Sequence, residues 1–346
     1  MHRRAWRRIC VSARLIGYHR LHSTKRSSVP MLDHIATLDY AAAEVVAGAF
    51  ALADGRLAVG TYGGWALFDA ATLSCLHSDT SLVPKGCSVT GIHFDGDDVI
   101  MLGYRRAQTF ETPANWYGAL MRARAGSNGD VIHELPAGNW RMVGRRSGDQ
   151  VILYDVSEGQ GVYSFRSRGD SWSLPIAANR AVPAPGCVLC LGDERYIVVS
   201  LDGVVVTERA LPDLHRYCWT TLAAEPTGRV VLGGFHRSSR AYALAVVDDQ
   251  RSDPCMVESD LIFHVGRIEP IGADRYLLAL GGGGEQLGAC DGAGAVALVS
   301  TAAETATWQS QVLDRHDGIS GMQVLPDNRV VCDFCGDLRV YSFGDG

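Results

Sequence analysis

The stretch Asp54–Leu73, DGRLAVGTYGGWALFDAATL, holds a turn, a short apolar run, a glycine-broken turn and a second apolar run ending at Asp69. Short β-branched and aromatic runs bounded by Asp and Gly read as two strands of a hairpin. The same unit recurs along the chain. GRLAVG, DDVIMLG, DQVILYD, ERYIVVS, GRVVLGG, DRYLLALG and NRVVCDF each begin a strand, at Leu57, Val99, Val151, Tyr196, Val230, Tyr276 and Val330. Their spacings run from 34 to 54 residues and average 45.5.

The flanks of these anchors repeat as well. An earlier strand precedes the turn, as in VTGIHF, GRIEPI and ISGMQVL. A third follows, as in WALFD, GALMRA, GVVVT and AYALAVV, and a fourth is visible in DVIHEL and WQSQVL. A unit of four short strands near this period, apolar on both faces, must stack on its neighbours to bury itself. The expected fold is therefore all-β, a seven-bladed β-propeller with four-stranded antiparallel blades. The last unit ends after its third strand, LRVYSFGDG, so HIATLD (His34 to Asp39) is expected to supply the missing outer strand and close the ring.

The stretch GMQVLPDNRVVCDFCGDLRVYSF, residues 321–343, resembles a unit of the WD-repeat family: inner strand, Pro-Asp turn, second strand and Asp-containing turn. The resemblance spans about residues 34–343 and is one of spacing. The family's Gly-His and Trp-Asp dipeptides are missing, and Asp69 and Asp248 stand where its closing Asp is found. The resemblance implies an interaction platform.

The first thirty residues form a separate region, a basic tail preceding the propeller of residues 31–346. They carry eight Arg and Lys and no acid, and the rest has 24 basic against 38 acidic residues, a formal charge of −14. The tail lacks the apolar core of a secretory signal. It reads as an organelle transit peptide, as a disordered tail or as over-translation upstream of Met31. The expected location is cytoplasmic, or mitochondrial if the tail is a transit peptide. An acidic body argues against nucleic acid as a partner, and no run reaches the apolar length of a membrane-spanning helix.

Two loops between second and third strands are long. Tyr104–Tyr117 offers Arg105, Arg106, Phe110, Trp116 and Tyr117, residue types enriched at binding hot spots, and is the expected site for a protein or peptide partner. Gly281–Gly294 is glycine-rich but lacks the Gly-Lys-Ser/Thr and the βαβ setting of a phosphate loop, so no cofactor is implied. Two CxxC pairs, Cys187/Cys190 and Cys332/Cys335, lie on strands, where i and i+3 point to opposite faces. They read as buried, reduced thiols. The alternative to a scaffold is a metal-dependent hydrolase or lyase, since some propeller enzymes hold a metal over the channel. Its ligands would come from His215, His236, His264, Glu285 and His316, which fall in loops of one face but lack metal-binding spacing.

Overall fold

The computed structural model describes residues 32–344 except 39–45, 62, 83–86, 106–116, 128, 136–139, 147–149, 156–161, 165–170, 173–175, 177, 185, 226, 249–253, 259–264, 281–293, 302–306, 315–317 and 335–336. All the described residues belong to one unit, Met31–Gly346. Strand β1 (Leu32–Thr37) comes first. Blade 1 is β2 (Val46–Ala53), β3 (Arg56–Thr61), β4 (Gly64–Asp69) and β5 (Cys75–Asp79). Blade 2 is β6 (Ser88–Asp95), β7 (Asp98–Arg105), β8 (Tyr117–Ala123) and β9 (Asp130–Glu134). Blade 3 is β10 (Trp140–Arg146), β11 (Gln150–Asp155), β12 (Val162–Ser164) and β13 (Ser171–Trp172). Blade 4 is β14 (Arg180–Ala184), β15 (Cys187–Leu191), β16 (Arg195–Ser200) and β17 (Val205–Ala210). Blade 5 is β18 (Tyr217–Ala224), β19 (Val230–His236), β20 (Tyr242–Val247) and β21 (Cys255–Glu258). Blade 6 is β22 (Val265–Gly272), β23 (Arg275–Leu280), β24 (Gly294–Ser300) and β25 (Thr307–Asp314). These six sheets are each a run of four consecutive strands. Among the described residues the remaining sheet is composite: β26 (Gly321–Leu325), β27 (Arg329–Phe334) and β28 (Asp337–Phe343), with β1 paired antiparallel to β28. Each innermost strand packs on that of the next blade, and β26 packs on β2, which closes the circle.

The expected succession of like units is corrected in two places. In blade 4 the anchor ERYIVVS begins the third strand, not the second, and GVVVT leads into the outer strand. The true second strand is CVLCL, Cys187–Leu191. The closing strand runs Leu32–Thr37 rather than His34 to Asp39. It is held there because the Gln311 side chain accepts from Leu32 N–H at 2.8 Å and donates to Leu32 C=O at 3.0 Å, a second tether beside the strand pairing.

Alternation along each strand feeds two interfaces. In blade 1, Ala58, Trp65 and Leu67 pack towards Val89, Met101 and Met121 of blade 2. The intervening Leu57, Val59, Ala66 and Phe68 pack towards Val331, Leu338 and Val340 of the composite sheet. This is why the strands read as unbroken apolar runs. Each buried Val, Leu, Met or Phe among these contributes roughly 1.5–3 kcal/mol on burial, so the blade-to-blade seams hold the fold together.

On the face carrying the first-to-second-strand turns, arginine at the start of the second strand ties one blade to the next. Arg56 donates to Gly96 C=O at 2.9 Å, and Arg329 to Ala70 C=O at 2.7 Å and Ala71 C=O at 3.1 Å. Arg229 bridges Asp274 of blade 6 at 2.5 Å and Glu225 at 2.6 Å. The Glu225 carboxylate is fully buried and also accepts from Tyr276 Oη and from Thr227 Oγ1 at 2.7 Å. Asp69, at the end of β4, instead fastens its own turn. Its Oδ1 accepts from Ala71 N–H at 3.0 Å and from Thr72 N–H at 2.6 Å.

Candidate functional site: the loop face of blades 4 and 5

Second-to-third-strand loops and blade-to-blade loops share the face opposite those arginine ties. The stem of the long loop after β7 is where the sequence put it, with Arg105 paired to Tyr117 across β7 and β8. Arg106, Phe110 and Trp116, and the side chains of Arg105 and Tyr117, lie outside the described residues. So do His264, Glu285 and His316 of the metal alternative.

The other two histidines sit at the corner of blades 4 and 5, in different settings. His215 is exposed in the loop from β17 to β18. His236 ends β19, and its Nδ1 accepts from Ser239 N–H at 3.4 Å and lies 3.1 Å from Ser238 Oγ. Its ring stands edge-on to Tyr217 at 5.4 Å. This imidazole nitrogen is engaged in shaping a turn. Among the described residues no group of three or more His, Cys, Asp or Glu side chains is placed to hold a metal. Cys190 packs into the blade 4 core with Val188 and Ile197, while Cys187 packs on the opposite side, towards blade 5. Burial pushes the Cys190 thiol up to about 12.

The loop 211–216 and the hairpin 237–241 are knit into one surface. Arg237 N–H donates to Arg216 C=O at 2.7 Å, and its Nε donates to Leu214 C=O at 2.8 Å and Tyr217 C=O at 3.0 Å. Trp219 Nε1 donates to Pro212 C=O at 2.9 Å, anchoring the loop from beneath. The Arg216 guanidinium lies over the Tyr217 ring at 5.4 Å, and that of Arg240 over Phe235 at 5.0 Å. Arg216 also stands 3.5 Å from Glu258, which accepts from Tyr217 Oη. Burial first, then that hydrogen bond, pushes the Tyr217 phenol up to about 12. Residues 237–240 are all exposed. Sequence reading passed over these arginines; the signal was LHRY and HRSSR, two Arg-bearing loops that the repeat places on one face.

Nearer the axis the innermost strands share a device. Strands β2, β6, β10, β18 and β22 each carry a register shift against their second strand. Such bulges turn backbone groups out of the ladder. At Gly266, within the β22 shift, the carbonyl accepts from Arg180 of blade 4 at 3.2 Å, past blade 5. A guanidinium at the inner strands opposes binding of a further cation there.

No family model matches the chain, and no curated protein matches it at a significant level. Solved structures do. A chain described as YCF48 bound to D1 peptide aligns with a TM-score of 0.63 and 11% identity, over 90% of this chain and 96% of that one. The WD40 β-propeller domain of Doa1 aligns with a TM-score of 0.56 and 12% identity, over 91% and 98%. The Neurospora crassa Pan2 WD40 domain aligns with a TM-score of 0.52 and 9% identity, over 86% and 89%. The chain is thus a WD40-like β-propeller by fold.

Proposed function

We propose that this protein is a non-catalytic scaffold that binds a protein or peptide on the loop face of its propeller. The observation that carries the reading is the corner of blades 4 and 5. There Arg216 and Arg240 are already stacked on aromatic rings, and Arg237 locks the two loops together. Binding gains affinity when contact groups are ordered beforehand, because less side-chain entropy is lost. Arginine and tyrosine are also the types that dominate binding hot spots. One of the structurally similar propellers is described with a peptide bound, which accords with the reading. Arg105, Arg106, Phe110, Trp116 and Tyr117, of the long loop after β7 in blade 2, are proposed as a further contact region for the partner.

The test is a quantitative pull-down from source extract with the wild-type chain, a Trp116→Ala/Tyr117→Ala variant and a His236→Ala/His316→Ala variant, alongside metal analysis. The reading predicts a partner lost with the aromatic pair and retained with the histidine pair. Bound metal lost with the histidine pair, and partner recovery indifferent to the aromatics, would support the hydrolase or lyase instead.

A further inference from the structure

We propose that the tip of the hairpin 237–241, Ser238 and Ser239, is a proton-sensitive element of the loop face. It is folded onto His236 while that imidazole is neutral and is released when the imidazole takes up a proton. Two groups converge on His236 Nδ1, the Ser239 backbone N–H at 3.4 Å and the Ser238 hydroxyl at 3.1 Å. A backbone N–H can only donate, so Nδ1 carries no proton and the ring hydrogen of the neutral imidazole sits on Nε2. An imidazolium carries a hydrogen on both nitrogens. Protonation therefore sets two N–H groups against each other at the tip.

The root of the hairpin is held separately. His236 N–H donates to Ala241 C=O and Arg240 N–H to His236 C=O, both at 2.8 Å. The tip has less to hold it. Residues 237–240 are exposed, and Arg240 takes φ 61°, a left-handed conformation that a residue with a side chain adopts at a cost. Ala241 N–H donates to Ser239 Oγ at 3.3 Å, a contact that does not change with pH. Among the described residues, the charged and titratable groups around the ring come from several elements. Its own hairpin brings Arg237 and Arg240, and the loop 211–216 brings Asp213, His215 and Arg216. From β18 comes Tyr217, edge-on at 5.4 Å, and from β21 Glu258, already engaged by Arg216 and Tyr217 Oη. The exposed Asp193 and Glu194 stand beside the 211–216 loop, where Leu211 N–H donates to Glu194 C=O at 2.9 Å. Guanidiniums keep their charge throughout, and burial pushes the Tyr217 phenol up to about 12, so it keeps its proton. Imidazoles are the side chains that titrate between about pH 5 and 8. The described ones at this corner are His236 and His215.

The experiment is nuclear magnetic resonance on the isotope-labelled full chain. At about pH 8 the ring-nitrogen shifts of His236 should show the hydrogen on Nε2 and none on Nδ1. The protection factor of the Ser239 amide, corrected for the intrinsic pH dependence of exchange, should fall several-fold, up to about tenfold, between about pH 7.5 and 5.5, the loss of one hydrogen bond. The Arg240 amide, at the root, should keep its protection. His236→Asn, which offers an acceptor that does not titrate, should protect Ser239 at both pH values, and His236→Phe at neither. His215→Gln should leave the fall intact. A hydrogen on Nδ1 at the higher pH, equal Ser239 protection at both pH values, an undiminished fall in His236→Asn, or a fall abolished by His215→Gln would each overturn the proposal. The tautomer and the wild-type protection decide it even where a substitution fails to fold. No partner is needed for this switch, so its failure and the failure of the loop-face reading are separate results.

Discussion

Arg229 shows how one side chain can hold two blades. Burial would disfavour its charge, but hydrogen bonds to Asp274 and Glu225 outweigh that and hold its pKa above the usual arginine range. Replacing it with Leu removes the counter-charge from a fully buried Glu225. Losing one partner of a buried pair costs about 3–5 kcal/mol, so Arg229→Leu should lower the urea midpoint by that much stability. Arg124→Leu, at an exposed pair, should cost under about 1 kcal/mol. Thiols give a second residue-scale test. Cys75 is exposed, whereas Cys190 and Cys332 are buried and burial raises both pKa values. A thiol reagent at pH 8 should label Cys75 in the folded protein and the other two only after unfolding, read by mass spectrometry. Asp69 supplies the pH dependence: backbone and side-chain hydrogen bonds from Thr72 lower its pKa. A depressed carboxyl stabilises the fold above its unfolded pKa near 3.8 and loses that contribution as pH falls through the folded value. Acid titration of Asp69→Asn should therefore show a shallower loss of stability below about pH 4 than wild type.

At the scale of strands, the closing strand is the element most open to challenge. Gln311→Ala removes both side-chain bonds to the Leu32 backbone and should cost about 1–3 kcal/mol. Deleting residues 1–30 should leave the melt unchanged, whereas deleting 1–40 should expose the β28 edge and lower it sharply. Equal melts for the two truncations would contradict the closure. Most blade middles were legible because an Asp-Gly-type turn, an apolar strand and an Arg or acid at its start recur. Asp54 and Gly55 take φ of 51° and 70° at such a turn, a conformation that favours Asp and Gly. Blade 4 was read one strand out of phase for a physical reason. GDERY carries the same Asp and Arg signs, but there Arg195 starts the third strand and pairs with Glu208 on its own outer strand rather than with the next blade. The turn that does precede the second strand is marked by Gly186 at φ 71°, preceded by a proline that hides the pattern. The two loops of the arginine corner flank the paired ends of β18 and β19, where Tyr217 stands opposite His236; their common face was legible, but the stacking of Arg216 and Arg240 on Tyr217 and Phe235 was not, because it depends on side-chain packing.

For the molecule as a whole, the interblade arginine ties and the proposed recognition surface lie on opposite faces. One face is sewn by Arg56, Arg229 and Arg329, each reaching a neighbouring blade, and leaves those guanidiniums largely covered. The other carries the exposed arginines of blades 4 and 5. Side chains of blade 6 also pack closely on the blade 5 backbone at the seam, since a Cβ on Gly233 would lie 2.8 Å from Val265 Cγ1; Gly233→Val should therefore disrupt the blade 5–6 seam without touching either face. The measurement that bears most directly on the scaffold reading is hydrogen exchange of the propeller, free and in complex with the partner recovered by pull-down. Protection should rise at 211–216 and 237–241 while the turns at 54–55, 96–97 and 327–328 exchange as in the free protein. Protection confined to those turns or to the outer strands, with the loop face unchanged, would contradict it.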